Sequence, residues 1–223
     1  MLFNHVKPNI EIPELVQVNE DRSRYYVTPS GLKLPSVTTV LSRADKNKNI
    51  ALEKWRKKIG DVEANKITKN SSGRGTSLHT LCEKYLQNDP NYKDGARYDA
   101  LEMFLSIKSI LDTRINNIHY QEQRMFSEKL GIAGTVDCIA EFDNILSVID
   151  YKNARARRTE ERVFTYFLQE TAYALICNEL RGYPAVKQIV TIMAVEDDEP
   201  QVFIKKPKDY VKPLLKAIEE YNA

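Results

Sequence analysis

The sequence predicts an α/β domain built on a central mixed β-sheet flanked by helices. Three observations lead there. Helical apolar spacing dominates up to about residue 115; the pattern then switches to alternating or continuous apolar runs over three successive segments; and a long helical segment separates these from two further strands.

Taken in order, RYYVT and LKLP flank Pro29-Ser30-Gly31, a hairpin in which Gly31 can take positive φ. Ser36 is a plausible N-cap for PSVTTVLSRA, and ALEKWRKKIG reads as a helix closed by Gly60. Trp55, set among Lys54, Arg56, Lys57 and Lys58, reads first as a core anchor of that helix and second as a base-stacking aromatic. NSSGRGTSLHTLCEKYL reads as a glycine-rich turn entering a helix near Thr76 or Ser77, and a core helix follows from about Arg97 to Ile115. HYQEQRMFSE, GTVDCIAEF and ILSVIDYK are the three strands, the last two joined by a tight turn at residues 142–144. A helix over about Thr159 to Leu180, strands VKQIVTIMAV and QVFIKK, and a helix from about Pro207 to Tyr221 complete a single domain over residues 1–223. Its N-terminal hairpin and helices cover about 22–116, its core about 117–206 and its last helix about 207–221.

Composition narrows the function classes. The 33 basic and 31 acidic side chains leave a net charge of +2, so bulk charge selects no partner and any nucleic-acid surface must come from local segregation. Cys82, Cys138 and Cys177 are scattered and odd in number, which excludes CxxC-type metal clusters and reads as buried thiols. No apolar run approaches the ~20 residues that span a bilayer, and the first twenty residues lack a signal-peptide pattern, so the expected setting is the cytoplasm, with no membrane partner.

The chemistry concentrates on the central hairpin. Asp137 and Asp150 each stand inside an apolar strand, and a carboxylate there needs a partner or a metal. Asp150 and Lys152 share a sheet face, and a turn at residues 142–144 sets Asp137 opposite Asp150, where opposed carboxylates repel unless a cation intervenes. Two carboxylates suit Mg²⁺ or Mn²⁺, with Lys152 beside the ion to orient or help deprotonate an attacking water. A buried Asp–Lys pair is the simpler alternative for Asp150 and Lys152 alone. Gln169 and Tyr173 share one helix face, with Tyr166 one turn earlier.

Four motifs in order resemble the PD-(D/E)xK nuclease superfamily, and within it the RecB-like exonucleases including their mitochondrial branch. They are Gly75-Thr76-Ser77-Leu78-His79, Gly134-Thr135-Val136-Asp137, Asp150-Tyr151-Lys152 and Gln169 to Tyr173, and the likeness covers about residues 25 to 182. The resemblance implies a restriction-endonuclease-like core, with His79, Asp137 and Asp150 as metal ligands and Lys152 as the catalytic lysine. It further implies that Gln169 and Tyr173 assist the site. Glu122 falls where several relatives carry an extra acid, although on its own it reads as a solvent-facing charge. Arg155, Arg157, Arg158 and Arg162, close behind the catalytic strand, together with Arg74 in its glycine turn and Tyr166, are candidate nucleic-acid contacts. Asn153 departs from the family's usual Thr or Ser after the lysine.

The function this implies is a Mg²⁺- or Mn²⁺-dependent DNA exonuclease acting from free single-stranded ends. It would serve replication, recombination or repair in a prokaryotic or phage setting, alongside other proteins of those processes and without a small-molecule cofactor. A structure-specific endonuclease, or a non-catalytic nucleic-acid-binding module on the same scaffold, are the alternatives.

Overall fold

A computed structural model describes residues 2–8, 10–21 and 23–223, with the side chains of residues 46–48 outside the described set; residue 22, where the N-terminal part was expected to begin, also lies outside it. The chain starts with a small antiparallel sheet, β1 (Val16–Glu20), β2 (Ser23–Val27) and β3 (Lys33–Pro35), in that spatial order. The expected hairpin is β2–β3, with Gly31 at φ +83° in its turn. β1 was not anticipated: VQVNE is exposed or half-exposed throughout, and its alternation rests on two valines, Val16 and Val18, too short a run to mark a strand.

Helices α1 (Val37–Ala44), α2 (Lys46–Ile59), α3 (Asp61–Leu86) and α4 (Tyr98–Arg114) follow. Ser36 caps α1 as expected, its side chain accepting from Thr39 N–H at 3.0 Å. Two local expectations fail. Among the described residues α2 buries none, and Trp55 is only half-buried rather than a core anchor. The segment from Ser71 to Gly75 is not a turn but the middle of the 26-residue α3. Glycine costs a helix roughly 1 kcal/mol relative to alanine, yet packing overrides that here. A Cβ on Gly73 would stand 3.2 Å from Arg97 Nη1, and one on Gly75 3.1 Å from Asn153 Oδ1.

The main sheet has the order β4 (Ile115–Ser127), β5 (Ile132–Phe142), β6 (Ile145–Ala154), β7 (Gln188–Val195), β8 (Gln201–Lys205). It is mixed: β6 and β7 are parallel, joined across helix α5 (Glu160–Glu179), and the other neighbours are antiparallel. The β5–β6 turn holds two residues, Asp143 and Asn144, both at positive φ (52° and 64°), the signature of a type I′ hairpin whose twist matches the strands. A 3-10 turn (Pro207–Asp209) leads to the last helix, α6 (Val211–Asn222). One face of the sheet packs against α1, α5 and α6 through Val148, Val40, Phe167 and Leu214. The other packs against α3 and α4 through Ile149, Leu78, Phe104 and Ile107. The small sheet closes on β5 through Tyr26, Leu34 and Ala133.

The β4–β5 ladder is irregular at two places, a register shift between Asn116 and Tyr120 and a gap nearer the centre of the sheet. In the β4–β5 ladder Gln121 pairs with Cys138 and Gln123 with Val136, but Glu122 and Asp137 between them drop out, Glu122 at φ +46°. Alternation should put Val136 and Cys138 on one face, yet Val136 packs with α5 and Cys138 with α3 and α4. The sheet therefore changes faces at Asp137. On its other side β5 pairs with β6 only from Cys138 onward, so the two strands separate there.

The cap that seats α1 against this region is testable. Ser36→Ala should lower stability by about 1 kcal/mol, seen as a reduced urea midpoint at unchanged slope.

Candidate active site

The break at Asp137 brings side chains from both faces of the sheet into one cleft of about 440 Å³. From α3 comes His79, whose Nδ1 lies 3.3 Å from Asp137 Oδ2. The same carboxylate oxygen accepts the Tyr151 N–H at 3.1 Å, a bond that stands where the β5–β6 ladder has stopped. From α5 come Gln169 and Tyr173, and from β6 Lys152. Gln169 Nε2 donates to Asp150 Oδ1 at 2.9 Å, while Lys152 Nζ sits against Asp150 Oδ2 and 5.0 Å from the centre of the Tyr166 ring. The face of α5 carrying Tyr166, Gln169 and Tyr173 thus looks onto the carboxylates, as their spacing requires.

The donors fall into two groups. His79, Glu122 and Asp137 each offer one ligand atom, all within 4.8 Å of one another. Asp150 is not part of this trio: it is buried and tied to Lys152 and Gln169, at the position facing Asp137 one step beyond the last β5–β6 pair, Cys138 and Ile149. Glu122, which by itself read as a solvent charge, belongs to the trio. The signal that could have found it is register: Glu122 is the residue of β4 that stands opposite Asp137.

Electrostatics shows crowded negative charge. The Glu122 carboxyl is pushed up to about 7 by burial, then by Asp137, Glu83 and Asp150, although one flank of the residue is open to water, which screens part of this. Asp150 is pushed up to about 6, burial and Asp137 outweighing the opposing pull of Lys152. Burial works against the Lys152 charge, but Asp150 and Asp137 override it and its pKa rises. Behind Asp150, the fully buried Glu170 accepts from the Thr191 hydroxyl, and burial with the Asp150 charge pushes its pKa well up. An imidazole and two carboxylates this close fit a hard divalent cation with coordination positions left for water and a phosphate oxygen.

The basic candidates are placed elsewhere. Arg74 is buried in α3 and donates from Nη1 to Glu196 at 3.0 Å, facing a separate recess lined by Asp99, Glu102 and Asp198. Its expected position in a glycine turn is corrected accordingly. Arg155, Arg157 and Arg158 lie between β6 and α5, and Arg162 in the first turn of α5; none of them lines the cleft. Arg157 donates to the Glu199 carbonyl and stands 3.7 Å from Asp198, and the Arg158 N–H donates to Gln201.

Comparison with known proteins decides the family. The profile of the PD-(D/E)XK nuclease superfamily matches residues 42–220. The chain belongs to the PD-(D/E)XK nuclease superfamily. It is 27% identical over 174 residues to mitochondrial genome maintenance exonuclease 1 of Mus musculus and 26% over 175 residues to that of Homo sapiens, each alignment covering 75% of this chain. The chain spans about half the length (51%) of these curated relatives. A solved structure from Eubacterium rectale, described provisionally as an exonuclease, overlaps 66% of this chain and 64% of its own at 12% identity and a TM-score of 0.42, too loose a likeness to carry an argument. Among the described residues no helix is long and apolar enough to cross a membrane.

Two outcomes follow from this geometry. A Cβ on Gly134 would fall 2.5 Å from the Tyr173 hydroxyl, so Gly134→Ala should destabilise the nuclease by about 1–3 kcal/mol. Tyr173→Phe in the same background should restore part of the loss in a urea titration. Glu122 and Asp150 hold their protons more tightly folded than unfolded, so between about pH 4.5 and 7 the folded chain binds more protons and stability falls as pH rises. Without metal, the melting temperature should therefore drop from pH 5 to 7.5, and Glu122→Gln should flatten that slope.

Proposed function

We propose that this nuclease is a Mg²⁺- or Mn²⁺-dependent exonuclease that hydrolyses DNA from free single-stranded ends, in the service of replication, recombination or repair. The observation that carries the reading is the meeting, in one cleft, of the His79–Glu122–Asp137 trio with Lys152, whose ammonium is held from behind by the buried Asp150. His79, Glu122 and Asp137 would hold the ion, with Asp150 beside them. A bound divalent cation supplies a lowered water pKa and neutralises phosphate charge.

The chain's own groups supply the rest. Lys152, kept as an ammonium by Asp150 and Asp137, is suited to stabilise negative charge as it builds on the phosphate oxygens. Removing a proton from water is therefore left to other groups, a refinement of the role the sequence suggested for it. Gln169 fixes one Asp150 oxygen and leaves the other to Lys152, and the Tyr166 ring supports the ammonium from below. In hydrolysis the water oxygen bonds to phosphorus while the bond to the leaving sugar oxygen breaks, and that oxygen gains a proton. Arg155, Arg157, Arg158 and Arg162 carry positive charge beyond the Lys152 end of β6, where the strand outside the cleft would pass. The preference for ends is supported by the exonuclease names of the two curated relatives.

Labelled linear single strands should be shortened in Mg²⁺ or Mn²⁺ and left whole in EDTA, while a circular single strand persists. Lys152→Ala should cut the rate at least 10²-fold with an unchanged circular dichroism spectrum. Rapid cleavage of the circle would make the enzyme an endonuclease, and undiminished cleavage by the variant would remove Lys152 from the chemistry.

A further inference from the structure

Part of the cleft wall is built by the small N-terminal sheet, which none of the four motifs includes. Tyr26, fully buried, shares its hydroxyl with Thr135 Oγ1 at 3.1 Å, pinning β2 against β5 two residues before Asp137. Arg24 precedes Tyr26 by two positions and so projects from the same strand face, into the same cleft. Its backbone is held at both ends of the residue. The Arg24 N–H donates to Thr39 Oγ1 at 3.1 Å, and its carbonyl accepts from Ser36 N–H at 2.8 Å. The strand is thus anchored while the guanidinium remains exposed.

Charge gives that guanidinium a task. The lining includes the carboxylates Glu83, Glu122 and Asp137 and two cationic side chains, Arg24 and Lys152. Lys152 is committed to Asp150. Among the described residues Arg24 has no carboxylate within ion-pair distance, whereas Arg56, Arg74, Arg97 and Arg114 each have one. A polyanion entering a cleft of this sign is repelled unless fixed cations meet its phosphates, and a planar guanidinium fits a phosphate with two parallel hydrogen bonds.

We infer that Arg24 binds a backbone phosphate flanking the scissile one, on the side of the cleft formed by Gly134 and Thr135; this rests on the nuclease reading above. Two strand residues, ~7 Å, separate Thr135 from Asp137, which makes the contact one to a neighbouring phosphate and not to the reacting one. Arg24 is therefore a substrate-positioning residue that the motifs do not contain.

The test is binding of a fluorescein-labelled single-stranded oligonucleotide, followed by anisotropy in Ca²⁺ over a range of salt concentrations. Arg24→Gln should weaken binding about tenfold and make the salt dependence shallower by about 0.7, the loss of one phosphate contact. Arg24→Lys should keep the salt slope, and both variants should melt with the wild type. In a second arm, single neutral methylphosphonates are placed along the oligonucleotide. One position beside the cut should weaken wild-type binding as much as Arg24→Gln does and have no further effect on that variant. Wild-type affinity and slope in Arg24→Gln, or the absence of any such position for the wild-type chain, overturns the inference while cleavage by the wild type stands. A wild type that cuts no DNA in Mg²⁺ or Mn²⁺ fails the nuclease reading itself and takes this inference with it.

Discussion

The structure depends on the loss of one residue pair from the β4–β5 ladder. Had Glu122 and Asp137 paired like their neighbours, alternation would have run unbroken through this stretch, from Tyr120 to Ser127 on β4 and from Ile132 to Ile139 on β5. Side chains borne on α3 and on α5 would then have stayed on opposite sides of a continuous sheet. Because the strands change faces there, Gln121 reaches the Glu83 carbonyl of α3, while Met125, of the same parity, packs in the α5 cluster. The step and the parting of β6 from β5 create the one region where His79 and Lys152 line a common space. The positive φ of Glu122 is backbone strain held in place by regular pairing on both sides.

The same arrangement gathers more charge than a sheet interior ordinarily tolerates. Asp150 is 3% exposed and Glu170 fully buried, and the Lys152 ammonium and the Gln169 amide answer only the first of them. Removing one member of such a pair costs more than the pair itself contributes, because the other is left buried and uncompensated. The site is thus held away from its electrostatic optimum by hydrophobic packing on both faces, Tyr151 and Ile149 toward α3 and α4, Val148 and Phe167 toward α5. In the proposed function a bound divalent cation would offset the remaining repulsion among Glu122, Asp137 and Asp150, linking the fold's stability to that occupant.

What the sequence disclosed follows from this division of labour. Asp137, Asp150 and Lys152 were legible because they interrupt apolar strands, and polar residues there need a reason. Gln169 and Tyr173 were marked by the family motif, and helical spacing placed them on one face of α5. Glu122 was marked only by the family resemblance: HYQEQRMFSE is polar on both sides of it, so the residue pattern alone does not distinguish this acid from its neighbours, whereas cross-strand register does. α3 was cut short in the reading because two glycines sit in its middle, where local preference and tertiary packing disagree and packing wins. Their small size serves the close approach of Arg97 and Asn153. Arg24 gave no signal at all, since its importance lies in which wall it stands on and in the carboxylate it lacks.

The near-neutral composition, +2 overall, acquires a meaning from this placement. A protein that bound nucleic acid by bulk attraction would show a basic face, but here the cleft is lined by Glu83, Glu122 and Asp137, and Arg56, Arg74, Arg97 and Arg114 are paired with carboxylates elsewhere on the molecule. Affinity cannot then come from the protein field alone. In the proposed function a strand is accepted only when a cation has cancelled the carboxylates and fixed guanidinium groups take up the flanking phosphates. Substrate binding and metal binding become coupled through one set of charges, and by linkage each must tighten the other. An acidic cleft of this kind discriminates against loading nucleic acid before the ion is in place, which a uniformly basic groove would not do.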